Sequence, residues 1–269
     1  HMPDMTSLQG TFYILGFGGG QWPQVINIWD CGEDGWDGWG RNLDRLNLKR
    51  RKAFYGDWWD EAAQWRSGGF DRVCAGIPGS PTTQQIKDQG IKGTLFVNEV
   101  ISVRPGTQIE YLNLVSEKRV DILGSHGIKA TGLWEVINNN HEVVMVWATS
   151  VENWVQFQKN RDTTRGLDTT GTVDERITKW ESISATYITG GDTHIMTPFP
   201  GTVYGPNDWE NADLNDWLAT NAPEEYREQK KYQKQRDNLI SLQQIKDKYE
   251  ELYNQVQNIF KKRAIGDIS

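Results

Sequence analysis

The sequence predicts an α+β fold made of two related units, the first incomplete, followed by a long C-terminal helix. Three observations lead there. Trp29 and Trp36 are seven residues apart, and so are Trp147 and Trp154; an apolar run precedes each pair. Between residues 93 and 204 the periodicities read strand, helix, strand, strand, helix, strand, the ferredoxin-like order. Finally Leu242, Ile245, Tyr249, Leu252, Val256 and Ile259 follow a 3-4-3-4-3 spacing, a heptad-like helical stripe.

The first unit spans residues 8–81. Residues 11–17 and 25–29 are β-branched and aromatic and are separated by Gly18-Gly19-Gly20-Gln21-Trp22-Pro23, a hairpin signature. Residues 35–52 and 57–66 read as helices, residues 70–77 as a short strand ending at Pro78, and residues 79–93 as a connector. The visible order is therefore β-β-α-β, since the chain begins at what would be the second strand. The likeness between the halves continues: Asp60-Glu61 leads to Trp65 as Asp174-Glu175 leads to Trp180.

The second unit spans residues 93–204. It starts with a strand over 94–103 and the turn Arg104-Pro105-Gly106. A helix over 107–124 follows, with apolar positions Ile109, Leu112, Val115, Ile122 and Leu123. Strands over 129–137 and 142–148 flank the turn Asn138-Asn139-Asn140. Helices over 150–160 and 172–184 and a strand over 193–198 complete it. Residues 200–222 are irregular. From Pro223, a favourable helix opener followed by Glu224-Glu225, a helix runs through the extension 222–264. Its stripe packs on the body or pairs with a second subunit.

The 269 residues carry a formal net charge of -7 and a pI of about 5.2, which argues against a nucleic-acid partner. No apolar run reaches membrane-spanning length and no signal peptide opens the chain, so a cytoplasmic protein is expected. His1-Met2 reads as a cloning remnant. Cys31 and Cys74 lack metal-ligand spacing and read as reduced thiols. Thirteen tryptophans are a heavy load for core or pocket lining, and such walls suit a flat apolar ligand.

Residues 94–204 resemble the NIPSNAP family, within the dimeric α/β barrel superfamily of ferredoxin-like folds. The matching stretches are Val97 to Gly106, then Ser125-His126-Gly127 leading to Gly132-Leu133-Trp134, then Glu142 to Trp147. Residues 12–80 resemble a second copy less closely, through the Trp29 strand and the Phe54 to Trp59 segment. The resemblance implies two sheets facing each other to form a barrel, within a chain or across a dimer. Relatives include cofactor-free monooxygenases, cyclases and isomerases, haem-binding dehydratases and peroxidases, and proteins without demonstrated chemistry. Fold alone does not choose among them.

Strand alternation orients a pocket independently. On one strand Ile26 and Ile28 oppose Val25, Asn27 and Trp29; on another Val144, Val146 and Ala148 oppose Val143, Met145 and Trp147. The aliphatic faces suit packing beneath helices. The mixed faces, with Asn27, Trp29, Met145 and Trp147 and with Trp134 nearby, are expected to bind substrate. His126, at a helix end before Gly127, is either a general base or a residue satisfying the last carbonyls. His194 in the last strand is an acid/base residue, an axial haem ligand or a core histidine. Glu99 in mid-strand is either an acid/base group facing the cavity or half of an ion pair with Arg104, Lys129 or another base. Glu135 carries the same ambiguity. Asp30, Asp57 and Asp60 sit among tryptophans and either place a carboxylate at the pocket mouth or cap helices, and His141 reads as solvated.

The run Gly16-Phe17-Gly18-Gly19-Gly20 follows a strand but precedes another strand, so it is not a phosphate loop. No nucleophile elbow or His-Glu-x-x-His motif appears, and no metal is expected. The leading expectation is a cofactor-independent lyase, isomerase or monooxygenase. It would act by acid/base chemistry on a small, largely apolar aromatic or terpenoid molecule. The alternatives are a haem enzyme of the same superfamily and a non-catalytic binding or assembly protein. A homodimer is expected because the first unit lacks a strand and a helix, leaving a sheet edge to cover.

Overall fold

The computed structural model describes residues 7–21, 24–32, 34–47, 63–64, 68–199 and 202–204, together with 246–248, 250–251 and 254. The chain divides into two units, His1–Asp213 and Leu214–Ser269. In the second, the described residues are helical and exposed. The stripe from Leu242 to Ile259 lies outside the described residues, as do Asp57, Asp60 and the Phe54 to Trp59 segment.

The first unit holds one antiparallel, curled sheet of seven strands. In chain order they are β1 (Ser7–Ile14), β2 (Val25–Asp30), β3 (Cys74–Gly76), β4 (Leu95–Val103), β5 (Lys129–Val136), β6 (Glu142–Thr149) and β7 (Ile188–Pro198). The spatial order is β2-β1-β7-β4-β6-β5-β3. The helices are α1 (Gly35–Asn47), α2 (Thr83–Asp88), α3 (Gln108–Leu114), α4 (Val120–Ser125), α5 (Val151–Thr164) and α6 (Glu175–Ser184). A π turn, Val115–Arg119, joins α3 to α4.

The element order expected for residues 93–204 is present. The expectation for the first unit needs correction. Among the described residues its strands form no sheet of their own; the β1-β2 hairpin extends the sheet beyond β7, and β3 pairs with β5 at the opposite edge. The connector also holds an unexpected helix. Thr82 Oγ1 accepts from Gln85 N at 3.1 Å while Thr82 N donates to Gln85 Oε1 at 2.9 Å, a capping box that starts α2.

Each sheet face has its own core. On the outer face Val97, Leu133, Val143, Met145 and Trp147 pack beneath Tyr111, Leu112, Val115, Ile122, Phe157 and Trp180 from the helices. The inner face gathers Phe12, Phe96, Val100, Val136, Val144, Val146 and Met196, with Ile86 from α2 and Tyr204. Ile28 on one edge strand and Cys74 on the other pack against that same inner cluster, so the sheet curls around it. Apolar burial of this kind contributes about 25 cal/mol per Å² and holds both layers. The expected division of β6 is therefore reversed: the mixed face lies beneath helices and the aliphatic face points inward. No helix among the described residues is long and apolar enough to cross a membrane.

Candidate functional site

The inner face carries the most unusual polar chemistry. On β7, His194 stands opposite Asn98 of β4, and Met196 stands opposite Phe96. The register of β1 shifts between Leu8 and Gly10, so Gln9 is the extra residue of a bulge, a device that re-aims a side chain. Gln9 Nε2 donates to Thr83 Oγ1 at 2.9 Å, and the Thr83 hydroxyl donates to the Asp30 carboxylate. Above them the Tyr204 ring lies 5.6 Å from Phe12 and 5.0 Å from Phe96, which are themselves 4.9 Å apart.

Three buried side-chain atoms among the described residues lack a hydrogen-bond partner: Gln9 Oε1, His194 Nδ1 and Tyr204 Oη. The Thr131 hydroxyl beside Tyr204 donates its own proton to Val146 O at 3.0 Å. Burial pushes the Tyr204 phenol well above its ordinary range, so it is a neutral hydroxyl. Each such orphan costs about 1–3 kcal/mol. Gln9 lies beside α2, while His194 lies toward the other end of the β1–β7 pair.

The glycine run finds its reason here. Leu15 N donates to Ile195 O at 3.0 Å and Ile195 N donates to Gly18 O at 2.8 Å, which lays the loop against β7. A Cβ on Gly18 would sit 2.4 Å from Ile195 O, and one on Gly20 would sit 2.9 Å from the His194 ring. Close backbone approach, rather than phosphate binding, requires glycine at these positions.

Glu99 lies on the other face, 8% exposed beneath the helices. Arg119 Nη1 and Nη2 donate to its two oxygens at 2.7 Å each, and Trp147 Nε1 donates to Oε2 at 2.8 Å. The guanidinium also lies 5.0 Å from the Trp147 ring and 5.9 Å from the Trp180 ring. Met145 Sδ accepts a long contact of 3.9 Å from Arg119. The structure thus brings Glu99, Met145 and Trp147 together as an ion-pair cradle, and the partner is neither Arg104 nor Lys129. Arg119 could have been found in the sequence. It falls four residues after Val115 and three before Ile122, on the apolar stripe of its helix.

His126 caps α4 rather than joining either face. Its Nε2 contacts Asp174 Oδ2 at 3.1 Å and its Nδ1 contacts Asn160 Nδ2 at 3.4 Å. Arg176 binds Asp174 as well, at 2.7 Å, and reaches Ser125 Oγ at 2.9 Å. These bonds, led by Arg176, hold the Asp174 carboxyl well below the usual carboxylate range. Both ring nitrogens of His126 are therefore engaged by side chains that orient the turn.

The remaining expected residues scatter. Asn27 and Trp29 point away from the inner cluster and are exposed on the outer side of β2, with Trp29 51% exposed. Trp134 is half-buried against the inner cluster. His141 is exposed in the β5-β6 turn. Glu135 faces a separate cavity beside that turn. No group of three or more His, Cys, Asp or Glu that could hold a metal ion occurs among the described residues. Of the two histidines considered for haem, His126 has both ring nitrogens engaged, while His194 keeps Nδ1 without a partner. No family model matches the chain, and neither a curated protein nor a solved structure matches it.

Proposed function

We propose that the protein binds a small, largely apolar molecule on the inner face of its curled sheet and acts on it by acid/base chemistry without a cofactor. His194 exchanges the proton, while Asn98 and Tyr204 orient the molecule. One observation carries this reading: the unpartnered His194 Nδ1 and Tyr204 Oη lie on a sheet face otherwise built from apolar side chains. Polar groups spaced along an apolar wall describe a ligand with few polar atoms. The Tyr204 ring, tilted against Phe12 and Phe96, supplies an aromatic wall for such a molecule.

The architecture belongs to the same proposal. Strands β7-β4-β6-β5 stand in the order fourth, first, third, second within residues 93–204, which supports reading that segment as one ferredoxin-like unit. Strands β1 and β3, from the first unit, add at its two edges, as two such units would when sharing one barrel. A second copy covering the edge strands β2 and β3 completes the barrel as a homodimer, which sedimentation analysis would detect.

The test observes His194 directly. Imidazole ¹H–¹⁵N spectra, assigned with His194→Asn, are recorded while indole, 2-naphthol or geraniol is added. Saturable shifts of the His194 signals, accompanied by a raised Tm, are expected for at least one compound. If His194 does not respond while binding occurs elsewhere, or none of the compounds binds, the inner face is only a core.

A further inference from the structure

A second site lies at the other end of the sheet, away from His194. The turn after β5, the start of α3 and the start of α1 line an open depression of about 720 Å³. Trp36, Gln108, Glu135, Asn138, Asn139 and His141 are among its walls.

The cavity is held open by bonds that leave its recognition groups free. Gln108 Nε2 donates to Asn139 O at 2.6 Å and to Glu142 O at 2.8 Å, with Val136 O 3.3 Å away, clamping the turn from beneath. His141 N donates to Asn139 Oδ1 at 3.0 Å, and Gly106 N donates to Asn140 O at 2.7 Å. Asn138 holds a φ of 66°, a left-handed conformation that asparagine tolerates and that lets the chain reverse there. The turn is thus shaped before any ligand arrives.

Two groups lining the cavity are available to a ligand. Trp36 is 59% exposed, and Trp39 lies edge-on to it with centroids 5.4 Å apart and planes at 84°, which orients the indole. Glu135 is half-buried and, among the described residues, makes no hydrogen bond or ion pair. Among the described residues, no lysine or arginine lines the cavity. The nearby Arg72 is already held by Glu142 at 2.5 Å. A carboxylate without a counter-ion, next to an exposed indole, is an arrangement that attracts cations both by charge and through the ring face.

We propose that this cavity binds a small organic ammonium ion. Trp36 receives the alkylated nitrogen on its ring face, Glu135 supplies the opposing charge, and the Asn138 amide serves a hydroxyl or carbonyl of the ligand. The proposal is independent of the inner-face reading, since none of its residues belongs to the inner polar group.

Isothermal titration of the full chain with choline, and separately with its neutral isostere 3,3-dimethylbutan-1-ol, tests it. Saturable choline binding is expected, with the isostere at least tenfold weaker. Glu135→Gln and Trp36→Ala should each weaken choline at least tenfold, and Trp36→Phe should recover part of the loss. Thermal melts confirm that the variants fold, and a surface position such as Trp36 leaves the core intact. Equal binding of the isostere, unchanged affinity in both variants, absence of choline binding, or binding of glucose in its place would each overturn the assignment.

Discussion

Arg119 grips Glu99 through two parallel hydrogen bonds of 2.7 Å, beneath the helical layer and against the face of Trp147. Burial opposes charge on Arg119, and the Glu99 carboxylate outweighs that penalty, so the guanidinium stays ionised. The π turn Val115–Arg119 ends at the arginine itself, which ties a local irregularity of the helix to the ion pair. A planar fork matching a carboxylate explains why arginine, rather than lysine, occupies the position.

Removing one partner should cost far more than removing both. Glu99→Gln leaves a buried guanidinium without its counter-charge and should destabilise the fold by about 3–5 kcal/mol. Pairing Glu99→Leu with Arg119→Met restores an apolar contact and should cost clearly less. Urea unfolding followed by tryptophan fluorescence measures both. Equal losses in the single and the double variant would show that the pair contributes only shape.

Asp174 predicts acid sensitivity of a definite sign. Its carboxyl is held low by Arg176 first, with help from the Arg176 backbone N–H and His126. A group whose folded value is depressed contributes stability above its unfolded value, about 4, and loses it as the pH falls toward the folded value. The wild type should therefore exceed Asp174→Asn in Tm at pH 7, and the gap should close between about pH 5 and pH 2. Asparagine also caps helices well, so the comparison isolates charge from capping. A gap that stays constant with pH would refute the linkage.

How far the sequence was legible depends on whether a signal was local. The strand and helix order over residues 93–204 was readable because alternation and helical spacing repeat within each element. The faces of β6 were misassigned because Met145 and Trp147 resemble pocket lining in isolation. Their role appears only when Arg119, from a helix 26 and 28 residues earlier, meets Glu99 beneath them. Helix α2 was hidden by its length, six residues after Ser80-Pro81, although Thr82 and Gln85 spell its capping box. The inner-face role of Gln9 depends on a bulge, and no single-strand periodicity announces a bulge.

Gly18 offers a test of the loop over His194. Gly18→Ala places a methyl group against Ile195 O, a backbone atom that also accepts from Leu15 N, so the loop must withdraw from β7. A loss of about 1–3 kcal/mol is expected, with the His194 imidazole signals shifted. Gly190→Ala, also on β7 but with nothing within 4 Å of the added carbon, should change stability by less than about 0.5 kcal/mol. Similar effects for the two substitutions would mean that the loop does not depend on close approach.

Cys74 extends the physical reading to reactivity. Burial, offset in part by Arg72 and reinforced by Glu142, pushes its thiol up to about 11. At pH 8 only about one molecule in a thousand then carries the thiolate, the form that attacks an alkylating reagent. Iodoacetamide at that pH should label Cys74 of the folded protein more slowly than an unfolded control by two orders of magnitude or more. Glu142→Gln removes the charge that disfavours the thiolate and frees Arg72 to favour it, so labelling should accelerate in that variant. Peptide mapping by mass spectrometry distinguishes Cys74 from Cys31. An unchanged rate in Glu142→Gln would mean that access, rather than charge, protects the thiol.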